Sequence, residues 1–380
     1  MSKVLLLTLE FPPQVGGVGR MYYELCRFMP AGSIVVWTPP VTDLEGKTVE
    51  QAERFTVRRQ ELLARRGPGR WLRTFVALRG YLEHHGLSDV IVGQILPLGL
   101  PVWLLSLERP LRYAVFVHGM DITQACMVPR RRWAIKHILR GAQAVFAANA
   151  FMVRVVQELG VPPERIAITY PPLALQNLPN AATVDFIRQQ EHLQDEPVLV
   201  TVGRLIDRKG HDIVLQALEL VWPEFPNLKY YIIGRGPAEK RLRALTTTLS
   251  HSNQVNFLGQ LPDAFTSAWV SLATVFIMTP RQLPDGDVEG FGMVYLEAGY
   301  LGKPVVASRS GGVTEAVVDQ VTGLVVPAND IGATAEAIIR LLRDPALRQQ
   351  LGQAGQARAL QFTGCQSMQP ILKAFNIGTP

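Results

Sequence analysis

Short apolar runs rich in Val, Ile and Leu alternate with amphipathic stretches along nearly the whole chain. A strand buried on both faces reads as continuous apolar sequence, and a crossover helix must separate it from a parallel neighbour. The alternation therefore predicts parallel sheets covered by helices. In the first half the expected strands are KVLLLTL, SIVVWT, DVIVGQ, YAVFVHG, AVFAAN and IAITYPP. In the second half they are VLVTVGRL, YYIIGRG, VNFLG, TVFIMTP, PVVASRS and GLVVP. Between the two sets, residues 171–196 are polar, carry prolines and show no strand pattern. The expected fold is thus α/β, with two doubly wound, Rossmann-like parallel-sheet domains, 1–178 and 197–361, facing each other across a cleft. A linker runs over about 171–196, and the poorly patterned tail, about 362–380, is expected to pack back on the first domain.

Composition agrees with this and narrows the setting. A chain of 380 residues with 48% apolar content suits two sizeable cores. Cys26, Cys126 and Cys365 are odd in number and far apart, which reads as reduced thiols in a cytoplasmic protein. The N-terminus enters a strand almost at once, so no signal peptide is expected. The longest apolar stretch, IVGQILPLGLPVWLLSL, is broken by glycine and proline, which favours buried packing over a membrane span. Charge is uneven. Residues 1–190 hold 22 Lys and Arg against 14 Asp and Glu, whereas residues 191–380 hold 16 against 18. The basic half calls for an anionic partner, a phosphorylated acceptor or an anionic lipid surface. No nucleic-acid-binding module accompanies it, and nucleic acid is not an expected partner.

Ligands of doubly wound sheets bind at the carboxyl edge, so motifs that end strands carry the functional reading. In EGFGMVYLE, Glu289 precedes a helix start and Glu297 lies about one turn inside it. Gly290 and Gly292 allow close backbone approach, and the amides of Phe291, Gly292, Met293 and Val294 open the helix and suit a phosphate. In VGRLIDRKG, Arg204 and Lys209 place two cations around the next helix start, where they would neutralise a leaving diphosphate without a metal. Gly16, Gly17 and Gly19 follow the first strand as a loop for phosphate or sugar, or as an ordinary tight turn. His118 ends YAVFVHG and either bonds a hydroxyl or is structural; Asp121 orients the loop or caps the segment after it. Arg130, Arg131 and Arg132, with Lys136 and Arg140 on a helix, grip a phosphate or form a solvated face. The run 58–82 lies on an anionic membrane with Trp71 and Phe75 inserted, or, preferred, packs on its own sheet. Gly234 and Gly236 of GRGP let the backbone pass near a ribose, Gly311 and Gly312 mark a further strand-to-helix turn, and Asp285-Gly-Asp287 reads as loop chemistry with no metal.

Together FPPQVGG, HGMD, VGRLIDRKG, GRGP, EGFGMVYLE, GKPVVAS and GLVVP resemble, in order and over nearly the full length, the retaining family-4 glycosyltransferases of the GT-B fold. Within that family the chain is similar to phosphatidylinositol-mannoside mannosyltransferases and to sucrose-phosphate synthases. The resemblance implies a metal-independent hexosyltransferase with no cofactor, using a UDP- or GDP-sugar and a phosphorylated small-molecule or lipid acceptor. It makes Gly203, Arg204 and Lys209 holders of the donor diphosphate, with Gly16 and Gly17 nearby. Glu289 meets the sugar hydroxyls, Glu297 the ribose, and residues 291–294 cradle the phosphate. His118 is the active-site histidine, and Gln14, Gly17, Arg20, Asp121 and Arg130 to Arg132 fall on the acceptor side. Competing readings are a sugar-nucleotide epimerase, an NAD-dependent oxidoreductase, disfavoured by the missing G-x-G-x-x-G, and a non-catalytic membrane-surface protein.

Overall fold

The computed structural model describes residues 3–13, 17–41, 49–51, 54–64, 69–173, 178–362 and 364–378. The chain divides into two compact units, Met1–Pro172 with Phe362–Pro380, and Leu173–Gln361.

The first unit is built on β1 (Val4–Leu7), β2 (Ile34–Thr38), β3 (Val49–Gln51), β4 (Thr56–Arg59), β5 (Asp89–Val92), β6 (Arg112–Val117), β7 (Ala144–Ala147) and β8 (Ile166–Ile168). Their order is β3-β4-β2-β1-β5-β6-β7-β8, parallel throughout except that β3 runs antiparallel to β4. β1 is paired on both sides, Leu5 opposite Val35 of β2 and Val90 of β5, and all four of its residues are buried. The order reverses at β1 and β5, so the loops leaving these two strands diverge and open a crevice at their carboxyl ends. The edge pair β3 and β4 lies outside the expected strands. TVRR carries only one apolar residue, yet it alternates: Val57 and Arg59 are buried, Thr56 and Arg58 half-buried. Arg58 lies over the rings of Trp37 and Tyr81, at 5.5 and 4.9 Å from their centroids, so an apolar neighbour stands where alternation leads one to expect solvent.

The tail is helical. Gly364–Phe375 buries Met368, Ile371, Leu372 and Phe375 with Met21, Tyr22 and Leu25 of the helix Gly17–Phe28. A Cβ on Gly364 would fall 1.8 Å from the Phe28 ring, so the glycine sets how closely the two helices approach.

The second unit carries β9 (Val198–Val202), β10 (Lys229–Ile233), β11 (Val255–Gly259), β12 (Val275–Met278), β13 (Val305–Ser308) and β14 (Gly323–Val326), all parallel, in the order β11-β10-β9-β12-β13-β14. The reversal falls between β9 and β12. One face of this sheet (Leu199, Tyr230, Ile232, Val275, Ile277, Val306) packs with Val214, Leu218, Ile338 and Leu341, on the helices His211–Val221 and Ile331–Arg343. The segment read as a linker is not featureless: Ala181–Gln190 is a helix capped by the Asn180 side chain, and it packs on the helix Asp263–Leu272 within this unit.

Candidate active site

At the second unit's reversal, the strand ends of β9 and β12 bring the strongest sequence motifs together. β9 runs into Gly203 and Arg204, then a single helical turn Asp207–Lys209, and Gly210 starts the helix His211–Val221. Gly210 has φ +70°, and a Cβ there would lie 1.8 Å from the Thr279 carbonyl oxygen at the end of β12. Thr279 Oγ1 donates to the Gly210 carbonyl at 3.0 Å, and the Arg281 amide donates to the Arg208 carbonyl at 2.8 Å. The turn after β9 is thus fastened along its length to the chain leaving β12. An Arg281–Asp212 ion pair adds a side-chain tie.

This fastening carries a charge cluster. Lys209 Nζ lies 2.7 Å from Glu289 Oε2, and Arg208 Nη1 bonds the same oxygen. Arg208 Nε stands 2.9 Å from Asp287 Oδ1. Burial pushes the Glu289 carboxyl up, but Lys209 and Arg208 together outweigh it and hold the group below the usual carboxylate range. Asp287 goes the other way: burial raises it, and Arg208 only partly offsets that. Glu289 is therefore an ionised, nearly buried carboxylate held by two cations. His211 sits just behind the turn, its Nε2 3.2 Å from the Arg204 carbonyl oxygen, and burial lowers its pKa to about 4. It is a neutral imidazole bracing the backbone that bears Arg204.

The helix Met293–Tyr300 begins four residues after Glu289. Gly292 at its start has φ +85°, and a Cβ there would meet the Tyr295 ring at 2.4 Å. Tyr295 in turn donates to the Met278 carbonyl at 2.9 Å, fixing the helix start to β12. The amides of Met293 and Val294, first in the helix, have no intrahelical acceptor. Glu297, half-buried, lies one turn inside. The Gly311–Gly312 turn after β13 closes on Glu289 itself: the Gly312 amide donates to the Glu289 carbonyl at 3.1 Å, and a Cβ on Gly311 would fall 2.1 Å from that oxygen. Gly234 and Gly236 leave room chiefly for their own fold. Added Cβ atoms would lie 2.0 Å from the Gly203 carbonyl and 2.3 Å from that of Leu205, so these glycines let the ends of β9 and β10 pack together.

In the first unit, His118 leaves β6 stacked on Phe116, with ring centroids 5.8 Å apart and an interplanar angle of 2°. Tyr22 Oη donates to the Gly93 carbonyl at 2.5 Å and lies 2.6 Å from His118 Nε2. The Tyr22 hydroxyl thus ties the His118 ring to the backbone at the end of β5. Gly17 opens a helix, and Arg20 lies on its first turn. Gln14 and Gly16 lie outside the described residues, as does the side chain of Asp121. Arg130, Arg131 and Arg132 are all exposed at the start of the helix Pro129–Gly141. In the run 58–82, Phe75 packs against the core, as the preferred reading expects, and contacts the half-buried Trp71 ring edge-on at 6.4 Å.

Two residues escaped the sequence reading. Arg208 touches both carboxylates, yet in the string DRKG it is indistinguishable from a solvated helix-start charge. Arg59, buried at the end of β4, donates from Nη2 to the Pro12 carbonyl at 2.6 Å and braces the loop after β1.

Residues 16–172 match a family model described as glycosyl transferase 4-like domain, and residues 183–358 one described as glycosyl transferases group 1. A GDP-mannose-dependent alpha-(1-6)-phosphatidylinositol monomannoside mannosyltransferase of Mycolicibacterium smegmatis is 30% identical over 374 residues, with 94% of each chain covered. Among solved structures, the sucrose-phosphate synthase of Thermosynechococcus elongatus superposes with a TM-score of 0.82 at 22% identity over 100% of both chains. An Anabaena protein in complex with UDP gives 0.79 at 19% identity, covering 98% of this chain and 99% of its own. Two largely parallel sheets, matching models over both units and a relative alike from end to end lead to one conclusion: this chain belongs to the family of GT-B-fold glycosyltransferases.

Proposed function

We propose that the chain transfers a hexosyl group, with retention and without a metal, from a UDP- or GDP-sugar to a hydroxyl of a phosphate-bearing acceptor. One observation carries the reading: Lys209 and Glu289 meet at 2.7 Å beside the opening of the helix Met293–Tyr300, at the reversal of the second unit's sheet. Cations and bare amides at such an edge suit a diphosphate. Arg204 and Lys209 neutralise the departing diphosphate, the amides at Met293 and Val294 receive a phosphate, Glu289 takes sugar hydroxyls and Glu297 the ribose. Fixed donors of this kind contribute several kcal/mol where charge develops, roughly 3–4 for a single well-placed one. In the first unit His118, at the end of β6, meets a hydroxyl near the transferred sugar. The names of two relatives support the acceptor class, one a phosphatidylinositol monomannoside mannosyltransferase and the other a sucrose-phosphate synthase. A phosphoinositide-type lipid and a sugar phosphate such as fructose 6-phosphate are thus the two candidates.

Thermal shifts with UDP, GDP, ADP and their glucose and mannose conjugates, in the presence of EDTA, test the donor half. Saturation at a hundred times Kd adds about 2.7 kcal/mol, which is a rise of several degrees for units of this size, at about 2–4 °C per kcal/mol. If no nucleotide raises the transition, the donor assignment fails.

The lipid alternative has its own support. Met127 and Trp133 are 64% and 56% exposed on either side of Arg130, Arg131 and Arg132, and the sequence holds no acidic residue between Asp121 and Glu158. An exposed indole among arginines suits an anionic interface. No helix of the described residues is long and apolar enough to cross a membrane, so the contact proposed is peripheral. Co-sedimentation with phosphatidylglycerol vesicles is expected, weakened at least tenfold by changing Arg130, Arg131 and Arg132 together to Glu. Equal binding of wild type and variant would remove this surface from the membrane contact.

A further inference from the structure

Arg208 stands between two carboxylates. Its Nε faces Asp287 Oδ1 at 2.9 Å and its Nη1 bonds Glu289 Oε2, the oxygen that also takes Lys209 Nζ. The four side chains are only 9–12% exposed, so two cations and two anions neutralise one another with little help from water. The arrangement is asymmetric. Lys209 has one carboxylate partner in the cluster, on a long flexible stem, whereas the Arg208 guanidinium spans both. The backbone of Arg208 is also fixed, its carbonyl accepting from the Arg281 amide at 2.8 Å.

On the donor reading above, the diphosphate draws Lys209 away from Glu289. A buried carboxylate left with no cation would then be driven towards its protonated form and lose its fixed orientation. We propose that Arg208 is a positioning residue that keeps Glu289 paired and in place while Lys209 serves the donor, and that Asp287 is the counter-charge that stops Arg208 from following the phosphate. The spacing suits both roles, since Asp287 and Glu289 lie two apart on one loop, with Val288 between them buried beside Gly311. The groups acting on Glu289 are Lys209 and Arg208 from the turn after β9, Asp287 on its own loop, and Tyr295 from the following helix; Asp285 acts on Asp287, accepting from its amide at 3.0 Å.

The test reads Glu289 directly, by carboxyl carbon-13 resonance against pH in the ligand-free full chain. With Arg208→Ala the midpoint should rise by about one pH unit or more, since one of two cations is gone. With Asp287→Asn it should stay or fall, because a neighbouring negative charge is removed. No movement with Arg208→Ala, or a rise with Asp287→Asn as large as that with Arg208→Ala, overturns the proposal, and a role in the fold alone would leave kcat of the folded variant unchanged. In turnover, Arg208→Ala should lower kcat at least tenfold while the thermal shift by the nucleoside diphosphate persists. A tenfold loss of nucleotide affinity would instead make Arg208 a phosphate ligand and overturn it. If Arg208→Ala does not fold, Arg208→Lys decides: the charge remains but the span is lost, so the midpoint should hold while kcat falls, and an unchanged kcat overturns the proposal. Failure of the donor reading is separately visible, because no nucleotide would then stabilise the wild type, whereas the midpoint is read without ligand.

Discussion

Lys209→Ala is expected to lower kcat/KM for sugar transfer by roughly a hundred- to a thousand-fold, the loss seen when one fixed charge-stabilising donor is removed from a transfer site. The leaving diphosphate gains negative charge as the glycosidic bond breaks, and an ammonium held in a largely dry turn stabilises that charge far more than one in water. Lys209 is 12% exposed and carried on a turn whose backbone is fastened to β12, so little reorganisation is needed when the charge develops. The fold should survive. Breaking a buried pair commonly costs about 3–5 kcal/mol when a charge is left alone, but Glu289 Oε2 retains Arg208. The variant should therefore unfold within a few degrees of the wild type while its activity collapses, with the deficit in kcat exceeding that in KM. Lys209→Arg should recover part of the rate. Steady-state rates with the donor identified by thermal shift check this, and a variant keeping the wild-type rate would remove Lys209 from the chemistry.

How much the sequence made legible depended on how far one residue's role is set by its immediate neighbours. Strands buried on both faces announce themselves, because VLLL, DVIV and VFIM can satisfy no other environment. The edge strand TVRR does not, since the role of Arg58 is decided by Trp37 and Tyr81, remote in sequence. The tail helix was latent in Met368, Ile371, Leu372 and Phe375, which recur at helical spacing, but Gly364 and Pro370 interrupt the signal and only the helix Gly17–Phe28 completes its burial. The site behaved likewise. Lys209 and Glu289 were readable as belonging to one sheet edge, because each follows a strand at adjacent places in a doubly wound sheet. Which of Arg204, Arg208 and Lys209 faces a carboxylate was not readable, because it turns on the rotation of a single helical turn. Arg204 is exposed, while Arg208 makes the inward contacts. The glycines of GRGP carried a similar ambiguity, since carbonyls of the neighbouring strand end already require them, a demand that the four residues by themselves do not reveal.

Gly210→Ala is expected to be the most damaging single-methyl change in the second unit, and Gly302→Ala is its natural control. Both glycines have φ +70°, so both substitutions incur the same left-handed penalty, about 1–2 kcal/mol for an L-residue. They differ in space. At Gly302 nothing lies within 4 Å of the added Cβ, whereas at Gly210 the Thr279 carbonyl oxygen stands 1.8 Å away. That atom belongs to backbone at the end of β12, and it cannot rotate aside. Relief requires β12 and the turn after β9 to separate, which breaks the Thr279–Gly210 and Arg281–Arg208 hydrogen bonds together. The expected loss exceeds about 3 kcal/mol, in the range reserved for overpacking joined to backbone strain. Thermal unfolding of the two variants isolates the steric part, since their strain cancels in the difference. Because the same separation pulls Lys209 from Glu289, whatever Gly210→Ala protein remains folded should transfer sugar at no more than a hundredth of the wild-type rate, while Gly302→Ala keeps nearly full activity. Equal unfolding temperatures in the two variants would mean that the turn after β9 is not fastened to β12 as tightly as these contacts require.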